Sequence, residues 1–218
     1  MTKTSIIFDL DGVIVDTAKF HFLAWKNLAN SIDINFTEKE NEQLKGVSRI
    51  KSLEKILQWG NKELPQEKFD SLMQQKNTEY LSFVDQMTQD DILPDVKSTL
   101  DFLKSKEIPI ALGSASKNAK RILKQVNLTH YFDAIVDGTV VTKAKPDPQV
   151  FLTAAKQLDC EPQNCVVFED SVAGVQAANT AEMLSIGIGK TSVLGEANYV
   201  FSDFTEISQN FLEKLLNQ

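Results

Sequence analysis

A break in rhythm limits this chain more than any other feature of its sequence. Short apolar runs, several rich in Val or Ile, stand at residues 5–10, 108–113, 134–137, 165–169 and 184–188. They suit strands of a parallel sheet covered on both faces. From about residue 94 onward they alternate with helical spacing: Val96, Leu100 and Leu103 after Pro94, then Ile122, Leu123 and Val126, then Val150, Phe151, Ala154, Ala155 and Leu158 after Pro148, then Val175 and Ala178 after Ser171. Such alternation implies right-handed crossovers and an open, doubly wound, Rossmann-like α/β sheet. Between residues 17 and 88 no run reads as a strand. Phe22, Trp25, Ala29 and Ile32, then Leu53, Ile56 and Leu57, then Phe69, Leu72, Met73 and Tyr80 keep helical spacing instead. About 70 residues is too long for an ordinary connection. The expected organisation is an α/β core of residues 1–16 and 89–218 with an inserted helical cap of residues 17–88, hinged near 16–18 and 84–93.

Composition narrows the function. With 23 Lys and Arg against 30 Asp and Glu, the formal charge is −7, which opposes binding to a nucleic-acid backbone or an anionic membrane. No apolar run approaches the roughly 18–20 residues of a membrane span. The opening residues turn acidic too early, at Asp9, for a signal peptide. Cys160 and Cys165 lack CxxC spacing, so neither a disulfide nor a zinc site is expected. A cytoplasmic protein acting on small molecules is the expectation, with the sequons at Asn35 and Asn127 as chance matches.

The chemistry concentrates at the ends of the apolar runs. In Phe8-Asp9-Leu10-Asp11-Gly12-Val13 a hydrophobic strand ends in two aspartates one residue apart, which strand alternation turns to the same side. The carboxyl edge of such a sheet is where ligands bind. Two carboxylates held together repel unless a cation lies between them or one is protonated. A bare Asp-x-Asp is more often a plain turn; the strand before it and the glycine after it favour a site. Ser114, ahead of Ala115-Ser116-Lys117-Asn118, reads equally as an anion site or a helix N-cap. Lys145 precedes Pro-x-Pro, which restricts the backbone; Lys143 is the weaker candidate. Glu169 and Asp170 end another strand and suit either a hard cation or an acidic helix start. In residues 43–49, Gly46 interrupts the helical pattern beside Lys45, Ser48 and Arg49, a grip for phosphate or a solvated loop. Gly187-Ile188-Gly189-Lys190-Thr191 is not a P-loop, because Leu184 stands where the Walker spacing needs glycine.

The first of these motifs resembles the nucleophile motif of the haloacid dehalogenase superfamily, in its phosphotransferase branch. Ser114, Lys145 and Glu169-Asp170 follow in the order of that superfamily's remaining motifs. Within it, residues 9–17, His21 with Trp25, residues 41–48 with Arg49 and Ser52, Lys76-Asn77, residues 114–118 and residues 169–171 are similar to the β-phosphoglucomutase family. Gly113 and Phe168 depart from commoner residues of that family and read as packing changes. The resemblance implies a Mg²⁺-dependent phosphomutase in which Asp9 is the nucleophile and Asp11 the general acid and base. Ser114 and Lys145 then steady the phosphoryl group, and Asp9, Asp11 through its carbonyl, Asp170 and Glu169 hold the metal. It further implies that Arg49, Ser116, Lys117 and Asn118, with Ala115, hold a second phosphate. Lys45, Gly46, Val47, Ser52 and Lys76 contact the sugar or order the cap, and Thr17 and His21 act near the hinge. A single histidine on an amphipathic helix is ordinarily a packing residue; the resemblance places His21 in a relay with Lys76 and Asp11, whereas His130 has no such support. A small-sugar phosphatase is the rival enzyme reading and a non-catalytic sugar-phosphate sensor the rival binding reading. The expected partners are small sugar phosphates, and the expected state is a monomer.

Overall fold

The first apolar run forms β1 (Ser5–Phe8), buried along its whole length. In the computed structural model, which describes residues 4–44 and 47–216, β1 is followed by four helices: α1 (Ala18–Ser31), α2 (Glu38–Glu42), α3 (Arg49–Trp59) and α4 (Gln66–Val84). The chain then alternates through α5 (Val96–Ser105), β2 (Ile110–Gly113), α6 (Ala119–Gln125), β3 (Ala134–Val136), α7 (Gln149–Gln157), β4 (Cys165–Glu169), α8 (Val172–Thr180), β5 (Leu184–Ile188), α9 (Thr191–Leu194), β6 (Tyr199–Phe201) and α10 (Gln209–Leu216). The strands lie in the order β3-β2-β1-β4-β5-β6, and every neighbouring pair is parallel. This is the doubly wound sheet that the alternation predicts. The pattern does not reveal β6, which is three residues long and pairs only with β5; its Phe201 and Tyr199 pack edge-on against Phe211 of α10.

The chain divides into two compact units. One comprises the residues up to Asp16 and those from Met87 onward, and the other is Thr17–Gln86.

In the sheet unit, Ile7, Ala111, Val136 and Val167 pack with Phe151, Ala154, Ala177 and Ala178 of the helices. Phe8 and Phe168 are register partners on β1 and β4 and stack at 4.9 Å with planes 7° apart. Such a pair contributes about 0.5–1.5 kcal/mol beyond its buried area, and it fixes the two strand ends that carry the acidic residues. Gly113 has a packing reason of its own, since a Cβ there would lie 2.9 Å from the Phe151 ring. Beyond β1 the chain turns sharply at Gly12, whose φ of 79° suits glycine, and Gly12 N–H donates to the Val15 carbonyl at 2.8 Å. Val15 pairs antiparallel with Ile92, and Leu93 N–H donates to the Ile14 carbonyl at 3.0 Å. The two connections that run to and from the helical unit therefore leave the sheet unit side by side.

The helical unit is built on the apolar faces that the spacing predicts. Trp25, Leu28, Ala29, Phe36, Leu53, Ile56 and Leu72 form its core. On α4 that face includes a lysine. Lys76 is 1% exposed, and its Nζ lies 2.8 Å from His21 Nδ1 and 4.8 Å from the ring centres of Trp25 and Tyr80. His21 in turn stacks on Tyr80 at 4.2 Å. Burial, reinforced by the Arg49 charge, lowers Lys76 to about 7. Burial and the neighbouring Lys76 and Arg49 charges lower His21 to about 3, so the imidazole is neutral at neutral pH.

This buried amine gives a pH signature. From pH 7 to about 10.5 the unfolded chain keeps the Lys76 proton that the folded chain has lost, so raising the pH through this window stabilises the fold. Thermal unfolding of wild type and Lys76→Met across pH 7–10 is expected to show a gain for wild type that the variant lacks. Parallel curves would contradict the assignment.

Candidate active site

The sheet brings four acidic residues and one lysine to the carboxyl ends of β1 and β4, where the strand order reverses. Asp9 follows β1, and its N–H donates to the Phe168 carbonyl at 2.9 Å, which ties it to the strand ending in Glu169. Lys145, from the loop before α7, lies 2.5 Å from Asp9 Oδ1 and 2.5 Å from Glu169 Oε1. The side chains of Lys145 and Asp9 are each 9% exposed and that of Glu169 is 1% exposed. The lysine also sits 4.7 Å over the Phe151 ring, the ring that fills the space beside Gly113. Glu169 Oε2 accepts from Ser171 N at 2.7 Å and Ser171 Oγ at 2.9 Å. Asp170 lies against the turn after β1, and a Cβ on Gly12 would come within 2.1 Å of Asp170 Oδ2. A glycine is thus required there by both conformation and space.

The charges do not balance. Burial raises Asp9; Lys145 counters it, and Glu169 and Asp11 reinforce it. Burial, then Glu169, Asp9 and Asp11, raise Asp170 to about 8. Burial disfavours the Lys145 ammonium, yet the Asp9 and Glu169 carboxylates outweigh that and hold its proton more tightly than usual. One ammonium among Asp9, Asp11, Glu169 and Asp170 leaves an excess of negative charge in a poorly solvated site, a donor set of hard oxygens that suits a divalent cation. Among the described residues no group of three or more His, Cys, Asp or Glu side chains is arranged to hold an ion. Both oxygens of Glu169, expected among the metal's neighbours, are engaged by Lys145 and Ser171.

Ser114 follows β2, and its N–H donates to the Val136 carbonyl at 2.9 Å. It is 1% exposed, and its Oγ accepts from Ser116 N at 3.1 Å. It is not the N-cap of α6, a position that Asn118 occupies. Ser116 Oγ accepts from Asn118 N at 3.2 Å. The Gly138 N–H donates to the Ser116 carbonyl at 3.2 Å, and a Cβ there would fall 2.2 Å from the Ala115 carbonyl oxygen. Ala115 and Lys117 are exposed and Ser116 and Asn118 half-buried, a loop that presents polar groups from a fixed backbone.

In the helical unit the structure gathers His21 and Lys76, with Trp25 and Tyr80 around them. Ser52 is 2% exposed on α3, Arg49 opens that helix and is exposed, Val47 is half-buried, and Thr17 is buried at the N-cap of α1. Lys45 and Gly46 lie outside the described residues. Sequence reasoning gives no site role to Ser171, Gly174 or Tyr80: Ser171 enters there as a helix start after Asp170 and Tyr80 as a member of the apolar helical spacing.

The profile of the haloacid dehalogenase-like hydrolase family matches residues 4–182. The chain is 42% identical over 212 residues to a β-phosphoglucomutase of Bacillus subtilis, covering 96% of this chain and 94% of that protein. It is 32% identical to a phosphorylated carbohydrates phosphatase of Thermotoga maritima, covering 81% of each. Among solved structures, the β-phosphoglucomutase of Clostridium difficile superposes with a TM-score of 0.90 at 41% identity, covering all of this chain and 98% of that one. With its motif aspartates, serine, lysine and second acidic pair at the carboxyl edge of one parallel sheet, the chain belongs to the haloacid dehalogenase-like hydrolase family.

Proposed function

We propose that this protein is a phosphomutase that interconverts β-glucose 1-phosphate and glucose 6-phosphate through a phosphorylated Asp9 and a β-glucose 1,6-bisphosphate intermediate. The observation that carries this reading is the buried Asp9 carboxylate, gripped at 2.5 Å by Lys145. The near full-length similarity to a β-phosphoglucomutase supports the mutase over a phosphatase.

In the first half-reaction the C6 hydroxyl oxygen of the sugar attacks the phosphorus. The P–O bond to Asp9 breaks as the C6–O–P bond forms, and Asp11 takes the hydroxyl proton. In the second, Asp9 attacks the C1 phosphate of the bisphosphate, and Asp11 returns a proton to the C1 oxygen as it leaves. Lys145 supplies the fixed positive charge that steadies the transferring group, and the Ser114 hydroxyl donates to one of its oxygens. Asp9, Asp170 and the Asp11 carbonyl are the residues that would hold Mg²⁺, whose charge offsets that of the transferring phosphoryl group. Ser116, Lys117 and Asn118, with Ala115, are the sheet unit's hold on the second phosphate. From the helical unit, Arg49 serves the second phosphate and Val47, Ser52 and Lys76 serve the sugar. Lys45 and Gly46 complete that set by sequence, and Thr17 and His21 act near the hinge. An inserted helical unit suits a mutase, which must give its phosphoryl group to a sugar hydroxyl and not to water. The protein is proposed to act as a cytoplasmic monomer on small sugar phosphates. Among the described residues no helix is long and apolar enough to cross a membrane.

Incubation with β-glucose 1-phosphate, Mg²⁺ and a bisphosphate primer should yield glucose 6-phosphate, read by coupled dehydrogenase assay. Release of inorganic phosphate in its place would support the hydrolase. Asp11→Ala is expected to lower turnover by about 10²–10⁴-fold, while Mg²⁺ affinity measured by calorimetry stays within about threefold of wild type, because the proposed ligand at Asp11 is its backbone carbonyl. Retained turnover would remove Asp11 from proton transfer.

A further inference from the structure

One hydroxyl beside the site has no part in this mechanism. Ser171 is the N-cap of α8, and its Oγ accepts from Gly174 N at 3.0 Å. The same Oγ donates to Glu169 Oε2 at 2.9 Å, and Ser171 N donates to that oxygen at 2.7 Å. A serine hydroxyl has a single proton, and here the carboxylate receives it. Glu169 is 1% exposed, so water has little access to this carboxylate and its partners must come from the protein. Its other oxygen meets Lys145 at 2.5 Å, and Lys145 meets Asp9 at 2.5 Å. One continuous chain of polar contacts thus runs from the first turn of α8 to the proposed nucleophile. Gly174 leaves room for it: a Cβ at that position would lie 1.9 Å from Glu169 Cδ and Oε1 and 2.4 Å from Oε2. The helix start approaches the carboxylate this closely only because residue 174 has no side chain.

We propose that Ser171 is a positioning residue for phosphoryl transfer. Its hydroxyl and backbone N–H fix the Glu169 carboxylate, Glu169 fixes the Lys145 ammonium on Asp9, and Gly174 provides the space for this arrangement. The proposal rests on the phosphoryl-transfer reading above. Glu169 then acts through Lys145, and the start of α8 sets where the positive charge stands relative to the attacking oxygen. An N-cap serine supports its helix whether or not it touches a carboxylate, so the test must separate these two roles.

Ser171→Ala removes both the cap and the donor, whereas Ser171→Thr keeps both. Substituting Gly removes the donor, and glycine is nearly as well tolerated as serine at an N-cap. For both Ser171→Ala and Ser171→Gly, kcat for glucose 6-phosphate formation is expected to fall roughly tenfold, with KM for the sugar phosphate within about twofold. Ser171→Thr should restore kcat to within about twofold of wild type. Reductive methylation of Lys145 in metal-free protein, followed by peptide mass spectrometry, should be faster in the Ala and Gly variants than in wild type and Thr. Wild-type kcat in Ser171→Gly, or a methylation rate unchanged in all three variants, would overturn the proposal. A wild-type protein that forms no glucose 6-phosphate would count against the mutase reading, and the methylation rates would then decide the role of Ser171 alone.

Discussion

The structure at the sheet edge depends on one arrangement: a lysine ammonium held between two buried carboxylates in a site that contains still more negative charge. Charges removed from water are costly, and losing one partner of a buried pair typically costs about 3–5 kcal/mol. Lys145, Asp9 and Glu169 therefore have to stay together for the fold to tolerate any of them. Even so, Asp170 and Asp11 remain in the same electrostatic neighbourhood, and Asp170 is driven to about 8. A site of this kind favours whatever brings further positive charge and uses the oxygens that the lysine leaves open.

The fold produces this arrangement with little freedom. Parallel pairing of β1 with β4 sets Phe8 against Phe168, and the residues following each ring are acidic. Gly12 admits the Asp170 carboxylate to the turn after β1, and Gly174 admits the Glu169 carboxylate to the start of α8. Packing, backbone conformation and electrostatics thus meet at the same few residues. The helical unit repeats the theme differently. There Lys76 has a neutral imidazole and two aromatic rings around it, so its amine is poised to lose a proton near neutral pH while Lys145 keeps its own.

Much of this was legible in the sequence, for identifiable reasons. The parallel sheet followed from apolar runs at strand length alternating with helical spacing, and Asp9, Ser114 and Glu169 each stand at or just after the end of such a run. The long helical interruption was visible because its periodicity never turns to strand. The edge strand β6 escaped because its three residues are exposed or half-buried, whereas the equally short β3 is mostly buried and shows as an apolar run. Ser114 read equally as a helix cap because sequence does not show that α6 begins five residues later, at Ala119, with Asn118 as its cap. The approach of Glu169 to the start of α8 depends on the room that Gly174 leaves, and the absence of a side chain on one helix leaves no trace in the residue it accommodates. The depth of Lys76 was hidden as well, since a lysine on an amphipathic helix is ordinarily solvated.

The central claim is that the Asp9 carboxylate becomes esterified during turnover. The most direct measurement is rapid acid quench of the protein with β-glucose 1,6-bisphosphate and Mg²⁺, followed by peptide mass spectrometry of wild type and Asp9→Asn. The account predicts a single phosphoryl group on the peptide carrying Asp9, appearing on the time scale of turnover and absent from the variant. Turnover with that peptide unmodified, or a phosphoryl group carried on another residue, would contradict it.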